Sequence, residues 1–244
     1  MRLVDFHTHV NKKDRDKILD LAKKGLWQFV SATNPDECEF VADLERSNEH
    51  IIATFGLHPW YTRDFDMKDM TKWIHEARII GEIGLDTIWT SIPLKEQRDV
   101  FEFQLKYASE NEKFMILHTK GAEEIILECL KGYEPSKVIV HWYSGDSKYL
   151  DEYIELGCYF TLGPDIGINL NVQEVCKRVP VDRLLVETDG IEAVKWALGD
   201  GFKIEDIPMV LESSIEKIAH IKGLETSDMK DIIYNNSMRI IEKL

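Results

Sequence analysis

Short runs of apolar, β-branched or aromatic residues recur along the chain, separated by longer polar segments whose apolar residues repeat at helical spacing. Eight such runs stand out, at residues 3–6, 27–32, 51–55, 79–83, 114–117, 138–140, 159–162 and 184–186. They begin 21 to 35 residues apart, which leaves room each time for a strand, a turn and a short helix. This alternation predicts parallel strands joined by helical crossovers, and eight units predict an α/β fold of the (β/α)8 TIM-barrel type. A doubly wound open sheet is the structural alternative. Phe101, Leu105 and Ala108 fall on one helical stripe, as do Leu211, Ile215, Ile218 and Ala219, with Glu and Lys opposite. Gly132 and Gly223 stand where these patterns stop and are predicted helix C-caps. Beyond the eighth run the chain reads as helical to Leu244, with an interruption predicted at Asn235-Asn236. No linker or low-complexity tract divides residues 1–244, which are therefore read as one domain.

Composition narrows the functional classes. Of 244 residues, 44 % are hydrophobic and 30 % charged, the balance of an ordered soluble protein. With 30 Lys+Arg against 44 Asp+Glu the net charge is -14, which excludes a broad basic surface that grips duplex nucleic acid or an anionic membrane. Cys38, Cys129, Cys158 and Cys176 lie far apart with no C-x-x-C pair, the expectation for buried, reduced thiols. No apolar run approaches the ~18 residues of a membrane span, so a cytoplasmic location is expected, with no membrane partner and no obligate protein partner.

The histidines carry the chemical signal. Of eight, His7, His9, His58, His118 and His141 directly follow a predicted strand, whereas His50, His75 and His220 sit in helical or linker segments. In a (β/α)8 barrel the C-terminal strand ends build the active-site face, so groups distant in sequence converge there. His7 and His9, two apart on a strand, point to the same side and can present two imidazoles to one cation, with Asp5 beneath or beside them. Glu82, His118, His141 and Asp189 close the fourth, fifth, sixth and eighth strands. A carboxylate can bridge two divalent cations while neutral imidazoles hold the outer positions, a device suited to cleaving phosphate esters.

Six ordered motifs resemble those of the TatD family of metal-dependent hydrolases in the amidohydrolase superfamily. They are Asp5-Phe6-His7-Thr8-His9, Gly56-Leu57-His58-Pro59, Gly81-Glu82-Ile83-Gly84-Leu85-Asp86, Leu117-His118-Thr119-Lys120, His141-Trp142-Tyr143-Ser144-Gly145 and Glu187-Thr188-Asp189. The resemblance implies a (β/α)8 barrel, a two-metal centre and DNase activity, typically exonucleolytic on single strands. It also implies that His7, His9, Glu82 and Asp189 surround the first metal, with Glu82 bridging to a second held by His118 and His141. A phosphotriesterase-like centre is disfavoured, because Glu82 fills the strand-four position of the modified lysine found there. Three departures fall near the site: Gly190-Ile191 follows Asp189 where the family usually has a small residue and proline, Lys120 replaces a frequent arginine, and Trp142 a frequent cysteine.

The expected function is a divalent-metal-dependent hydrolase that cleaves phosphodiester bonds at ends of single-stranded or short DNA. A cation lowers the pKa of bound water toward ~7, so hydroxide is available without a strong protein base. In this scheme Asp189 touches the first metal and accepts the water's proton, and His58 binds the phosphate or protonates the leaving oxygen. Trp60, Lys120 and Trp142 are the candidate substrate-binding residues, with Trp89, Trp196, Tyr61, Tyr143, Arg63, Lys195 and Lys203 as further rim groups. The ligand types do not separate Zn, Mn, Mg, Co and Ni. The same centre could instead open a small amide, lactone or ester, and a non-catalytic binding barrel is the third possibility.

Overall fold

The computed structural model describes all of Met1–Leu244. The strands are β1 (Leu3–Thr8), β2 (Leu26–Ala32), β3 (Ile51–Phe55), β4 (Ile79–Gly84), β5 (Phe114–His118), β6 (Val138–Val140), β7 (Tyr159–Leu162) and β8 (Leu184–Val186). Between and after them lie α1 (Arg15–Lys23), α2 (Pro35–Ser47), α3 (Met67–Glu76), α4 (Leu94–Glu110), α5 (Glu123–Tyr133), α6 (Ser147–Glu155), α7 (Leu170–Arg178), α8 (Ile191–Leu198), α9 (Ile207–Lys222) and α10 (Thr226–Ile241). The strands form one eight-stranded sheet in the order β1 to β8, and the fold is the predicted (β/α)8 barrel. All eight predicted strands are present. β1, β4 and β5 extend beyond the apolar runs that announced them, because the backbone ladder continues through polar residues such as His7, Thr8 and His118. No helix is long and apolar enough to cross a membrane.

The chain packs as two compact units. The first comprises Met1–Val30, Asp43–Ile52 and Phe160–Leu244. Here β1 and β2 pair in parallel through Leu3↔Leu26, Val4↔Trp27 and Asp5↔Gln28, with an irregularity before Thr8↔Val30. Phe6 and Phe29 stack between them at 3.9 Å and are fully buried, each contributing about 1.5–3 kcal/mol of burial. Leu211, Ile215, Ile218 and Ala219 form the buried stripe of α9, and Gly223 caps that helix in the left-handed conformation, φ 66°, as predicted. The interruption expected at Asn235-Asn236 does not occur. α10 runs through it, because the buried Asn236 amide donates at 2.8 Å to the carbonyls of both Val181 and Leu184.

The second unit comprises Ser31–Ala42 and Ala53–Tyr159. β3, β4, β5 and β6 pair in parallel in turn. Phe101, Leu105 and Ala108 form the buried stripe of α4, joined by two buried glutamines, Gln97 and Gln104. Gly132 is not a cap: α5 continues through it to Tyr133, and Glu134 takes the left-handed position at φ 47°. The last turn is held by Ser109, whose hydroxyl donates to the Tyr133 carbonyl at 2.7 Å. Cys38, Cys129, Cys158 and Cys176 are all buried, as expected, and none forms a disulfide.

Candidate metal centre

In the first unit, strand alternation sends His7 and His9 to the same side of β1. Their Nε2 atoms lie 3.2 Å apart with the rings edge to face, and Asp189 Oδ1 lies 3.4 Å from each. Asp189 sits beyond β8 at φ 58°, and its N–H donates to the His7 carbonyl at 3.0 Å. The residue before it is clamped: the Thr188 N–H and hydroxyl donate to the two oxygens of Asp5 at 2.8 and 2.6 Å, and Gly190 N–H donates to the Thr188 hydroxyl. Asp5 therefore belongs to the support of the Asp189 turn and not to the donor set. Burial pushes its carboxyl up to about 7 against the Thr188 hydrogen bonds, with the charge of Glu187 adding to the rise. Gly190, at φ 90°, has no room for a side chain, since a Cβ would stand 2.6 Å from the His9 carbonyl oxygen.

The second unit gathers its histidines around Glu82. Glu82 Oε1 lies 2.8 Å from His118 Nδ1, 2.9 Å from His141 Nε2 and 3.4 Å from His58 Nε2, and all four side chains are buried. His118 Nδ1 and His141 Nε2 are 3.4 Å apart. The β4–β5 register places Gly84 opposite His118, where any Cβ would run into the His118 carbonyl, so the glycine lets the two strand ends close. His58 accepts the Trp60 N–H on Nδ1 at 3.2 Å, which puts its own proton on Nε2 and makes it a donor toward Glu82. Its segment is held from α4, where both amide atoms of Gln104 bond to the backbone of Leu57.

His118 turns its other nitrogen to Asp86, with Nε2 3.0 Å from Oδ2. Trp60 Nε1–H donates to the same oxygen at 2.7 Å, and the N–H groups of Ile88 and Trp89 donate to Oδ1 at 2.8 Å. Burial alone would raise the Asp86 carboxyl, but the donors from His118, Trp89, Trp60 and Ile88 outweigh it and hold it well below the usual range. The same contest raises His118: burial favours the neutral ring, and the bonds to Asp86 and Glu82 overcome it.

The donor chemistry of both clusters fits a divalent cation. Two imidazoles and a carboxylate within hydrogen-bond distance of one another have more lone pairs than protons to share, and one cation satisfies all of them. Imidazole with carboxylate is a set for Zn, Mn, Co or Ni more than for Mg.

The remaining predicted residues are distributed unevenly. Trp60 is 41 % exposed, yet its indole nitrogen is committed to Asp86. Lys120 Nζ donates to the Ser144 hydroxyl at 3.0 Å and lies 4.4 Å over the ring of Trp89, which is 52 % exposed. Trp142 is half-buried at φ 35°. Tyr143 is not a rim group: it is buried, and its hydroxyl donates to the Asp146 carbonyl. Arg63 and Lys195 form surface ion pairs with Glu96 and Glu192. His50 packs on Trp27 and His75 on Tyr107, ordinary positions as expected. Sequence reasoning did not single out Asp86, Gln97 or Gln104 as supports of the site. The available signal was two glutamines, seven apart, on the apolar face of α4.

With this geometry in hand, comparison with known proteins identifies the lineage. The family profile of TatD related DNases matches residues 4–242. The uncharacterized metal-dependent hydrolase YabD of Bacillus subtilis is 28 % identical over 98 % of both chains. The protein named deoxyribonuclease TATDN3 of Homo sapiens is 26 % identical over 99 % of this chain and 95 % of its own. Among solved structures, the TatD homolog YJJV of Escherichia coli superposes with a TM-score of 0.85 at 21 % identity, covering 98 % of this chain and 97 % of that one. A TatD family hydrolase of Entamoeba histolytica has a TM-score of 0.80 at 17 % identity, with coverage of 98 % and 97 %. The chain belongs to the TatD family of metal-dependent hydrolases.

Proposed function

We propose that this protein hydrolyses phosphodiester bonds at the ends of single-stranded or short DNA, with two divalent cations at the two histidine clusters. The observation that carries this reading is the paired donor sets: His7, His9 and Asp189 in one unit, and Glu82 with His118 and His141 in the other. In this reading Glu82 would hold the cation of its own cluster together with His118 and His141, whose nitrogens lie 2.8 and 2.9 Å from its Oε1. The DNase names of relatives such as the human protein support the substrate class.

Bound divalent cations would supply Lewis acidity, activating water at neutral pH and neutralising charge on the phosphate. The protein's own groups do the rest. Asp189 Oδ1 receives the proton of the attacking water, held in place by the turn that Asp5 and Thr188 lock. His58 carries its proton on Nε2 and delivers it toward the leaving oxygen, its other nitrogen being tied to the Trp60 N–H. Lys120 and the exposed face of Trp89 hold a backbone phosphate and an unpaired base, with Trp60 and Trp142 beside the entry. Local recognition of this kind suits a chain of net charge -14, which has no wide basic surface to grip duplex DNA. Four buried cysteines outside any disulfide fit the proposed reducing, cytoplasmic setting.

The loop that departs from the family after Asp189, with Gly190 packed on the His9 carbonyl, favours a second reading in which the scissile bond is a small amide, lactone or ester. One experiment separates the two. Protein stripped of metal and reconstituted is offered a labelled single-stranded oligonucleotide beside a carboxylester probe. Metal-dependent release of mononucleotides supports the first reading, and turnover of the ester alone overturns it in favour of the second.

A further inference from the structure

Asp86 lies two residues beyond the end of β4, completely buried, with both carboxylate oxygens engaged. Oδ1 accepts two backbone N–H groups, from Ile88 and Trp89, and Oδ2 accepts the Trp60 indole N–H and faces His118 Nε2. Its own backbone is held in the same way: Asp86 N–H donates to Gln97 Oε1 at 2.8 Å, and Gln97 Nε2 returns a bond to the Asp86 carbonyl at 2.9 Å. Four donors and a glutamine clasp leave this carboxylate no freedom to move. The opposite edge of His118, Nδ1, points at Glu82 Oε1 and His141 Nε2.

An imidazole that coordinates a cation through one nitrogen must carry its proton on the other, and a carboxylate at that second nitrogen fixes both tautomer and ring orientation. We propose that Asp86 is a positioning residue that holds the His118 proton on Nε2 and so presents the Nδ1 lone pair to the cation at the Glu82 cluster. Trp60 belongs to this clamp, since its indole binds the oxygen that faces His118. The aromatic rim is thereby tied to a metal ligand through a single atom, Asp86 Oδ2. The inference rests on the metal-centre reading given above, but not on the identity of the scissile bond.

Asp86→Asn tests it sharply because the outcome for the amide is dictated by its neighbours. The two backbone N–H groups keep the amide oxygen at the Oδ1 position, so the NH2 group takes the place of Oδ2 and points a donor at His118 Nε2. The preferred tautomer is then inverted, with the proton on Nδ1 where the cation should bind. Zinc is titrated into metal-free wild-type and variant protein by calorimetry, with the fold checked by circular dichroism. The variant is expected to bind zinc at the His7, His9 and Asp189 cluster as the wild type does, and at the Glu82 cluster about 10- to 100-fold more weakly. Nitrogen-15 spectra of the zinc-loaded wild type are expected to show His118 protonated on Nε2. Equal zinc affinity in folded Asp86→Asn, or a wild-type spectrum with zinc on Nε2, overturns the inference. Should the variant not fold, the wild-type spectrum decides alone. Absence of zinc binding by the wild type overturns the metal centre and this inference together, whereas equal binding by both proteins overturns only the role of Asp86.

Discussion

Gln104 clasps Leu57 with both ends of its amide: Leu57 N–H donates to Oε1 at 2.8 Å, and Nε2 donates to the Leu57 carbonyl at 3.1 Å. This pair substitutes for a strand partner where β3 has ended, and it fixes the backbone that carries His58 into the Glu82 cluster. Gln104→Leu fills the same space but abandons two buried backbone groups. A loss of about 1–3 kcal/mol for each stranded group is expected in urea unfolding. Turnover of the folded variant should also fall, because His58 loses its anchor.

Two glycines, Gly132 and Gly190, give opposite expectations. Gly132 lies in the last turn of α5 with nothing within 4 Å of an added Cβ, so Gly132→Ala should stabilise the protein by about 0.4–1 kcal/mol. Gly190→Ala meets the His9 carbonyl at 2.6 Å and a φ of 90°, and should destabilise it by about 1–3 kcal/mol while weakening zinc binding at His7, His9 and Asp189. Thermal or urea midpoints read the sign in each case.

Buried thiols make alkaline stability predictable. Burial pushes the Cys38 thiol from 9.0 up to about 12, and Cys176 from 9.0 up to about 11. A group whose folded pKa is raised contributes stability that is complete below the unfolded value and is lost as pH climbs through the folded one. The share of Cys38 is therefore present below 9.0 and declines between 9.0 and about 12. A disulfide reagent should label the native protein far more slowly than the urea-unfolded chain at mildly alkaline pH. Equal rates would contradict the burial of these thiols.

Asp189→Asn should keep the fold, because the Asp5–Thr188 clamp does not involve the Asp189 side chain. Turnover should fall about 10²- to 10⁴-fold, the usual worth of a general base. Near-normal kcat with full metal occupancy would remove Asp189 from that role.

Trp89→Ala probes the rim. Its exposed ring and the Lys120 ammonium above it should hold a base and a phosphate, so KM for a single-stranded oligonucleotide should rise by an amount equivalent to about 1–3 kcal/mol. KM for a small phosphodiester should change much less, and equal effects on both would argue for loop packing instead.

Much of this molecule was legible in the residues because strand-end histidines announce themselves twice, by their chemistry and by the apolar runs they follow. The eight strands and the buried stripes of α4 and α9 follow from side-chain periodicity alone. What periodicity hides is support made by polar groups turned inward. Asn236 looks like a helix breaker, but it bonds two carbonyls outside its helix. Asp86 and Gln97 look like loop and surface residues, yet they clasp each other and orient His118. Tyr143 looks like a rim aromatic beside Trp142, but its side chain is buried and its hydroxyl bonds the Asp146 carbonyl three residues on. Asn236 and Asp86 depend on partners distant in sequence that no local pattern names.

The central claim, that two histidine clusters of one chain hold two divalent cations for hydrolysis, is tested most directly by metal stoichiometry coupled to activity. Metal-free protein is titrated with zinc or manganese while bound ions and mononucleotide release from a labelled single strand are followed together. The account predicts release that appears only as occupancy approaches two ions per chain and that vanishes on chelation. Saturation at a single ion with full activity, or nucleotide release from metal-free protein, would contradict it.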